Sequence, residues 1–199
     1  MNERMEQNNA RKHEESILVR QVREGNRQAF TELVTRYQRD IYKLAFGFFQ
    51  DRDDALEIVQ ETFMRVYEKI DRFGKLSTDN SFRHWVYRIA YNLCIDFYRK
   101  FKKKKADDKE LYEFYESRDR ETTNPESDLD RLHFKHTLKK SIMGLSKRQQ
   151  MVFMLKHYSD LKHQEISTIL GLSVGTVKSL YHRAVKTLGK RLVRFEAAE

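Results

Sequence analysis

Between Leu170 and Ala184 the chain reads LGLSVGTVKSLYHRA. At helical spacing this stretch sets hydroxyls, an ammonium, an imidazole and a guanidinium on one side: Thr176, Lys178, Ser179, His182 and Arg183, followed by Lys186. Groups of this kind bind nucleic acid, because cations neutralise phosphates while hydrogen-bonding side chains read base edges in a groove. Lys178 and Arg183 can contact guanine O6/N7 or phosphate, and Ser179 and His182 can serve either role; sequence leaves that open. No Asp or Glu interrupts the run from Val174 to Val193. Material for covalent chemistry is far weaker. His133 and His136 in HFKH stand at helical spacing without Cys or carboxylate partners in a good arrangement, and the acidic QDRDDALEIVQE is the nearest metal candidate. With no constellation of nucleophile and base, the chain reads as a non-enzyme that uses no metal and no cofactor.

A second candidate surface lies in FRHWVYRIAYNLCIDFYRKFKKKK, where aromatic rings alternate with cations and the stretch ends in the basic run Arg99 to Lys105. Rings stack on unpaired bases while ammonium groups follow the phosphates, so this pattern suits melted or single-stranded nucleic acid. Some of Trp85, Tyr87, Tyr91 and Tyr98 must instead be core or rim aromatics, and Trp85 is assigned to the core. A third surface is acidic: Glu57, Gln60, Glu61 and Glu68 decorate one side of DDALEIVQETFMRVYEKIDRF. It suits a basic partner, or it merely solubilises an exposed helix.

The elements that position these groups are helices. Ser146 and Gln149 have capping-box spacing before the stripe Met151, Val152, Phe153 and Leu155, so one helix starts near Lys147. A short second helix, HQEISTIL, places Ile166, Ile169 and Leu170 on one face and stops at Gly171, which tolerates positive φ. Leu172 fills the turn. Ser173 then caps a third helix whose buried stripe is Val174, Val177, Tyr181, Ala184 or Val185, and Leu188. The breakers make the corner that aims this helix into a groove, the helix-turn-helix design. Further upstream, Gly25-Asn26 precedes a stripe of Phe30, Leu33, Val34, Tyr37, Ile41, Leu44 and Ala45. Two more stripes follow: Ala55, Ile58, Val59, Phe63, Val66, Tyr67 and Ile70, then Phe82, Trp85, Val86, Ile89, Leu93 and Phe97.

With only seven Gly and one Pro in 199 residues, the fold class is all-α, as two small helical domains joined by a flexible acidic linker. Formal net charge is +9 and is unevenly spread: residues 1–105 carry +6, residues 106–131 carry −6, and residues 132–199 carry +9. The acidic block holds the single Pro125 and lacks a sustained apolar period. This organisation gives a polar tail over 1–15, one domain over 16–105, a linker over 106–131 and a helix-turn-helix domain over 132–199. The lone Cys94 cannot form an intramolecular disulfide, and nowhere do eighteen apolar residues run together, so a cytoplasmic protein with no membrane span is expected.

Taken together, DALEIVQETFMRVYEKIDRF, SFRHWVYRIAYNLCIDFYRK and EISTILGLSVGTVKSLYHRAVKTL resemble the region-2 and region-4 signatures of the extracytoplasmic-function (ECF) sigma factors of bacterial RNA polymerase. The resemblance spans roughly Gly25 to Arg191. It implies a region-2 domain that binds the clamp of core RNA polymerase and opens the −10 promoter element, and a region-4 domain that reads the −35 element. It implies clamp contact at Glu57, Gln60 and Glu61, and −10 contact around Phe73, the loop Lys75 to Ser81, Asn92 and Asp96, with Arg99, Lys102 and Lys103 among the basic residues beside the melted strand. It implies −35 contact at Thr176, Lys178, Ser179, His182 and Arg183, to which the outward-facing Lys186 is added. Promoter DNA, duplex at −35 and melted at −10, and core RNA polymerase are the partners implied, with an anti-sigma factor as a further one; the free chain is expected to be a monomer.

Three departures from the family pattern stand out. Leu56-Glu57 replaces a common acidic pair, Leu180 replaces a common Arg, and the loop GKLSTDNS is longer than usual. A two-domain helix-turn-helix regulator would share the C-terminal evidence, yet it leaves RKFKKKK and the acidic face without a role.

Overall fold

The protein is described by a computed structural model at residues 2–74, 81–107 and 137–196, with side chains at residue 10 and over 12–74, 81–100 and 137–193. Every regular element among these residues is helical. The N-terminal group comprises α1 (Asn2–Arg23), α2 (Arg27–Phe49), α3 (Arg52–Lys69), a single 3-10 turn (Ile70–Arg72) and α4 (Phe82–Asp107). The C-terminal group comprises a helical segment over 137–143, then α5 (Lys147–Tyr158), α6 (His163–Leu170) and α7 (Val174–Glu196). The loop 75–80, most of the acidic linker, and His133 and His136 lie outside the described residues, as do the side chains of Lys102 and Lys103.

Local sequence accounts for most helix ends. Asn26 caps α2 by accepting from the Ala29 backbone N–H at 3.1 Å, directly after Gly25 turns the chain with a φ of +89°. Asp51 accepts from the N–H groups of both Asp53 and Asp54, each at 2.9 Å, and so one acid of QDRDDALEIVQE is occupied in starting α3. Ser146 and Gln149 close their reciprocal box on α5. The N-terminus differs from expectation: the tail assigned to residues 1–15 is helical from Asn2. Glu, Gln, Met, Arg, Lys and Ala dominate that stretch, all strong helix formers, and nothing in it breaks a helix that Leu18, Val19 and Val22 anchor in the core. Glu15 is buried with it, accepting a hydrogen bond from the Tyr37 hydroxyl.

In the N-terminal group, α2 is the central element. Leu33, Tyr37, Ile41, Leu44, Ala45 and Phe48 are fully buried along it, and each large apolar side chain contributes about 1.5–3 kcal/mol by leaving water. In the C-terminal group Val177, Ala184 and Leu188 of α7 pack on α5 and α6, while Val185 faces outward at 42% exposure, which settles the pair left open by spacing.

The two groups also pack directly on one another, which periodicity did not reveal. Their buried residues form one continuous core. On α5, Gln150, Met151, Val152, Met154 and Leu155 are all fully buried, because one face covers α7 and another covers α2. Between α4 and α6, His84 Nε2 meets Glu165 Oε1 at 3.3 Å, and Glu165 Oε2 accepts from the Lys162 backbone N–H at 2.7 Å. The His84 hydrogen bond, helped by the Lys162 N–H and by the charge of Arg83, outweighs burial and holds the Glu165 carboxyl at about 2.

Two outcomes follow. Gly171 ends α6 at a φ of +65° with open space around its α-carbon, so Gly171→Ala meets only backbone strain and costs about 1 kcal/mol in urea unfolding. Because Glu165 is depressed from 4.5 to about 2, its stabilisation is complete above the unfolded value and fades as pH falls from about 4.5 toward 2; Glu165→Gln flattens that segment of an acid-unfolding profile.

Candidate nucleic-acid interface

The exposed side of α7 begins at its cap. Ser173 Oγ accepts from the Thr176 backbone N–H at 3.1 Å and lies 2.8 Å from the Thr176 hydroxyl, fixing the first turn. Gly171 and the bond from Leu172 N–H to the Ser167 carbonyl, 3.1 Å, make the corner that separates α7 from α6. Beyond the cap, Thr176, Lys178, Ser179, His182, Arg183 and Lys186 are all exposed, as the sequence pattern predicts. Lys190, missed by that reading, is exposed four residues beyond Lys186 and extends the cationic row. Tyr181 anchors the opposite side: its hydroxyl lies 3.2 Å from His157 Nε2, and its ring packs edge-on to His163 at 5.4 Å. Burial, then the charge of Lys156, lowers the His157 pKa, which keeps that imidazole a neutral support.

On α4, Asn92, Asp96 and Arg99 are exposed along one side, with Arg99 Nη1 3.7 Å from Asp96 Oδ1. Phe73 is half-buried at the entrance to this helix, 5.5 Å from the Phe82 ring and 5.2 Å from Trp85. Trp85, expected in the core, is itself half-buried: it packs on the core's rim with Phe73 and Phe82, and the fully buried aromatics of this helix are Phe82 and Tyr87. The corner is held from α1. Arg23 donates to the Ile70 carbonyl through Nε at 3.1 Å and Nη2 at 3.0 Å, and to the Phe73 carbonyl at 2.6 Å. Nothing in the local pattern around Arg23 signals this, because its partners are about fifty residues away in sequence.

The acidic side of α3 shows a mixed surface. Glu57 and Gln60 are exposed, whereas Glu61 is half-buried and paired with Arg65 at 2.7 Å. Leu56, Met64 and Tyr67 are about half exposed on the same helix, so Tyr67, expected in the buried stripe, stands at the surface. Its ring lies edge-on to Phe30 at 5.0 Å beside a groove of about 640 Å³ between α2 and α3, lined also by Val34, Val59 and Met64. The spacing of Leu56, Gln60, Met64 and Tyr67 places them on one helix side and was the available signal.

A capped, basic helix-turn-helix joined to a helical bundle with an aromatic corner defines a two-domain DNA-binding transcription factor. Residues 33–104 match the Sigma-70 region 2 family model and residues 136–188 match Sigma-70, region 4. The chain is 34% identical over 179 residues to the ECF RNA polymerase sigma factor SigW of Bacillus subtilis, covering 87% of this chain and 94% of that one. It is 28% identical over 183 residues to the ECF RNA polymerase sigma-E factor of Escherichia coli, covering 89% and 94%. Among solved structures, that of CnrH in complex with the cytosolic domain of CnrY shares the fold at a TM-score of 0.67 with 24% identity, over 91% of this chain and 98% of that one. The RpoE structure from Bartonella quintana, in complex with the anti-sigma factor NepR, does so at 0.58 with 23% identity, over 82% and 96%. The chain belongs to the sigma-70 family, in its ECF branch, and is an RNA polymerase sigma factor for promoter-specific transcription initiation.

Arg23 sets the geometry of the aromatic corner. Arg23→Ala leaves two carbonyls of that corner without their donor and costs about 1 kcal/mol. Trp85, the single tryptophan, reports it directly: its emission shifts to the red as Phe73 and Phe82 loosen around it.

Proposed function

We propose that this sigma factor divides its work between three surfaces. The region-4 helix α7 docks in the −35 duplex through Thr176, Lys178, Ser179, His182, Arg183 and Lys186. The region-2 corner of Phe73, with Asn92, Asp96 and Arg99 of α4 and the adjoining Lys102 and Lys103, receives the melted −10 strand. Glu57, Gln60 and Glu61 of α3 meet the clamp of core RNA polymerase. On this reading the polymerase-bound region is 16–105, the −35 reader is 132–199, and the acidic 106–131 lies in basic, nucleic-acid-binding channels of the polymerase between them. The cytoplasm, where core polymerase and promoter lie, is the site of action. Among the described residues no helix is long and apolar enough to cross a membrane.

The observation that carries the assignment is the row on α7: six exposed donors and cations on a capped helix start, with no carboxylate through Val193. Region 2 then needs no covalent step. Lifting a base from the stack costs a few kcal/mol, and stacking on an aromatic side chain returns about 1–3 kcal/mol per base. The protein acts by stabilising an opened strand. The two solved relatives are held with the cytosolic domain of CnrY and with the anti-sigma factor NepR, and we infer an anti-sigma partner of comparable kind here, one that covers the clamp face and α7.

Run-off transcription on a library of promoter fragments with core polymerase, with and without the protein, tests the whole reading; site-specific starts that require the protein are expected. Lys178→Glu with Arg183→Glu lowers −35 duplex affinity by at least about tenfold and the logarithmic salt slope by about 2. Core polymerase binding stays intact, and loss of both together would refute the division of labour. Neutralising the ten acidic residues of 106–131 lowers initiation with DNA affinity of the helix-turn-helix domain unchanged.

A further inference from the structure

Sulfur carries much of the oxidation chemistry of a folded protein, and a thiol or thioether reacts only as far as an oxidant reaches it. The single cysteine is out of reach. Cys94 is fully buried in the core, and that burial pushes its thiol pKa up, away from the reactive thiolate. Met151 and Met154 are fully buried as well. Met143 is 38% exposed, and its Sδ accepts from Gln150 Nε2 at 3.6 Å. Met64 is 50% exposed, the most open sulfur-bearing side chain among the described residues.

Met64 also stands at a defined place. It lines the groove of about 640 Å³ between α2 and α3, whose apolar wall includes Phe30, Val34, Val59 and Tyr67. Gln60 lies one turn before it and Glu68 one turn after it on the same helix side, and both reach the same groove. A thioether in such a wall is apolar, polarisable and adaptable, which suits contact with another protein's apolar side chain. Adding an oxygen to the sulfur turns the same side chain polar and chiral. A partner that covers the groove must then take the S–O group out of water, which costs affinity unless a donor meets it. Where a donor on the groove itself meets it, such as Arg27 or Gln60, the side chain is drawn off the apolar wall instead. The apolar contact weakens by either route.

We propose that Met64 is an oxidative modification site, at which peroxide-class oxidants form methionine sulfoxide and so weaken, reversibly, the binding of core RNA polymerase. The inference rests on the assignment of the Glu57, Gln60 and Glu61 side of α3 to the polymerase clamp, and it adds a redox-sensitive sulfur to that side. In the step, a sulfur lone pair attacks one oxygen of hydrogen peroxide, the O–O bond breaks and an S–O bond forms. Sulfur gives up an electron pair, the peroxide is reduced, and its second oxygen leaves as water after proton transfer. No bond of the chain breaks, and methionine sulfoxide reductases reverse the change, one enzyme for each sulfoxide epimer. Initiation by this sigma factor thus falls while oxidant is present and recovers on repair.

The full chain is treated with hydrogen peroxide, which is removed before core polymerase is added. Peptide mass spectrometry reads the order of methionine oxidation, and fluorescence anisotropy reads the affinity for polymerase. Oxygen is expected at Met64 before Met143, Met151 and Met154, with helicity by circular dichroism retained and Kd raised about tenfold. Treatment with both methionine sulfoxide reductases restores the affinity, which excludes unfolding or oxidation of Cys94 as the cause. Met64→Leu, compared with itself before and after peroxide, shows no rise in Kd, whereas Met143→Leu responds as wild type does. Oxidation of Met64 without a change in Kd would overturn the proposal, and so would a rise that persists in Met64→Leu. Glu57→Lys separates this inference from the assignment beneath it. If that variant binds polymerase as wild type does, the clamp assignment fails and the proposal with it; if it binds more weakly while oxidised Met64 has no effect, the proposal alone fails.

Discussion

A helix ends with carbonyl groups that no residue of its own can satisfy, and a protein built almost wholly of helices must find donors for them elsewhere. Here long polar side chains from neighbouring helices supply many of those donors. Arg23 of α1 serves the carbonyls that follow α3, Gln150 serves α2, Arg88 serves α6, Arg83 serves α5, and Arg191 of α7 serves Ser141 and Gly144 at the end of the segment over 137–143. A planar fork with several N–H groups reaches two carbonyls at once, which explains why four of these five groups are arginines. Each such bond also fixes the relative position of two helices. Much of the tertiary arrangement is thus written in which arginine reaches which helix end.

That constraint divides the positive charge of the chain into two populations. Arg23, Arg83, Arg88 and Arg191 have their guanidinium groups committed to backbone carbonyls. Lys178, Arg183, Lys186 and Lys190 on α7 stand exposed along a helix side without carboxylates, and their field is not spent on a partner within that helix. Net charge alone could not distinguish these roles. The cations of the first population shape surfaces, as Arg23 does for the Phe73, Phe82 and Trp85 corner. The same separation appears in the carboxylates: Asp51 is occupied in capping α3 and Glu165 in holding His84, whereas Glu57 remains exposed on the acidic side of α3.

Apolar side chains show a parallel division. Leu33, Ile41 and Leu44 do nothing but fill the centre of region 2, while Leu56, Met64 and Tyr67 on α3 stay about half exposed, the last two beside a groove. An exposed apolar patch rimmed by carboxylates is the expected make-up of a surface that meets another protein. Leu56, where the family commonly carries an acid, belongs to that patch.

Local chemistry made much of this legible. Asn26, Ser146, Gly171 and Ser173 act at short range on the backbone within a few residues of themselves, so the helix starts and the helix-turn-helix corner follow from residue type and spacing. The row on α7 follows from period alone, since one helix side is either buried or exposed along its length. Other features required the assembled molecule. Residues 1–15 are polar, and only the burial of Leu18, Val19 and Val22 shows what carries the helix through them. Trp85 and Tyr67 each fit an apolar stripe, yet their exposure depends on which helix lies across from them. Most of all, the union of the two domains was invisible to pattern: Gln150 looks like a surface glutamine until the carbonyls of Gly47 and Phe48, more than a hundred residues away, come within reach. Sequence by itself determined most of the helices, their caps and the exposed cationic row of α7, because those depend on near neighbours. Only the tertiary structure decided where each arginine finds its carbonyls and which helix ends meet, because hydrogen bonds between distant segments have no period to read.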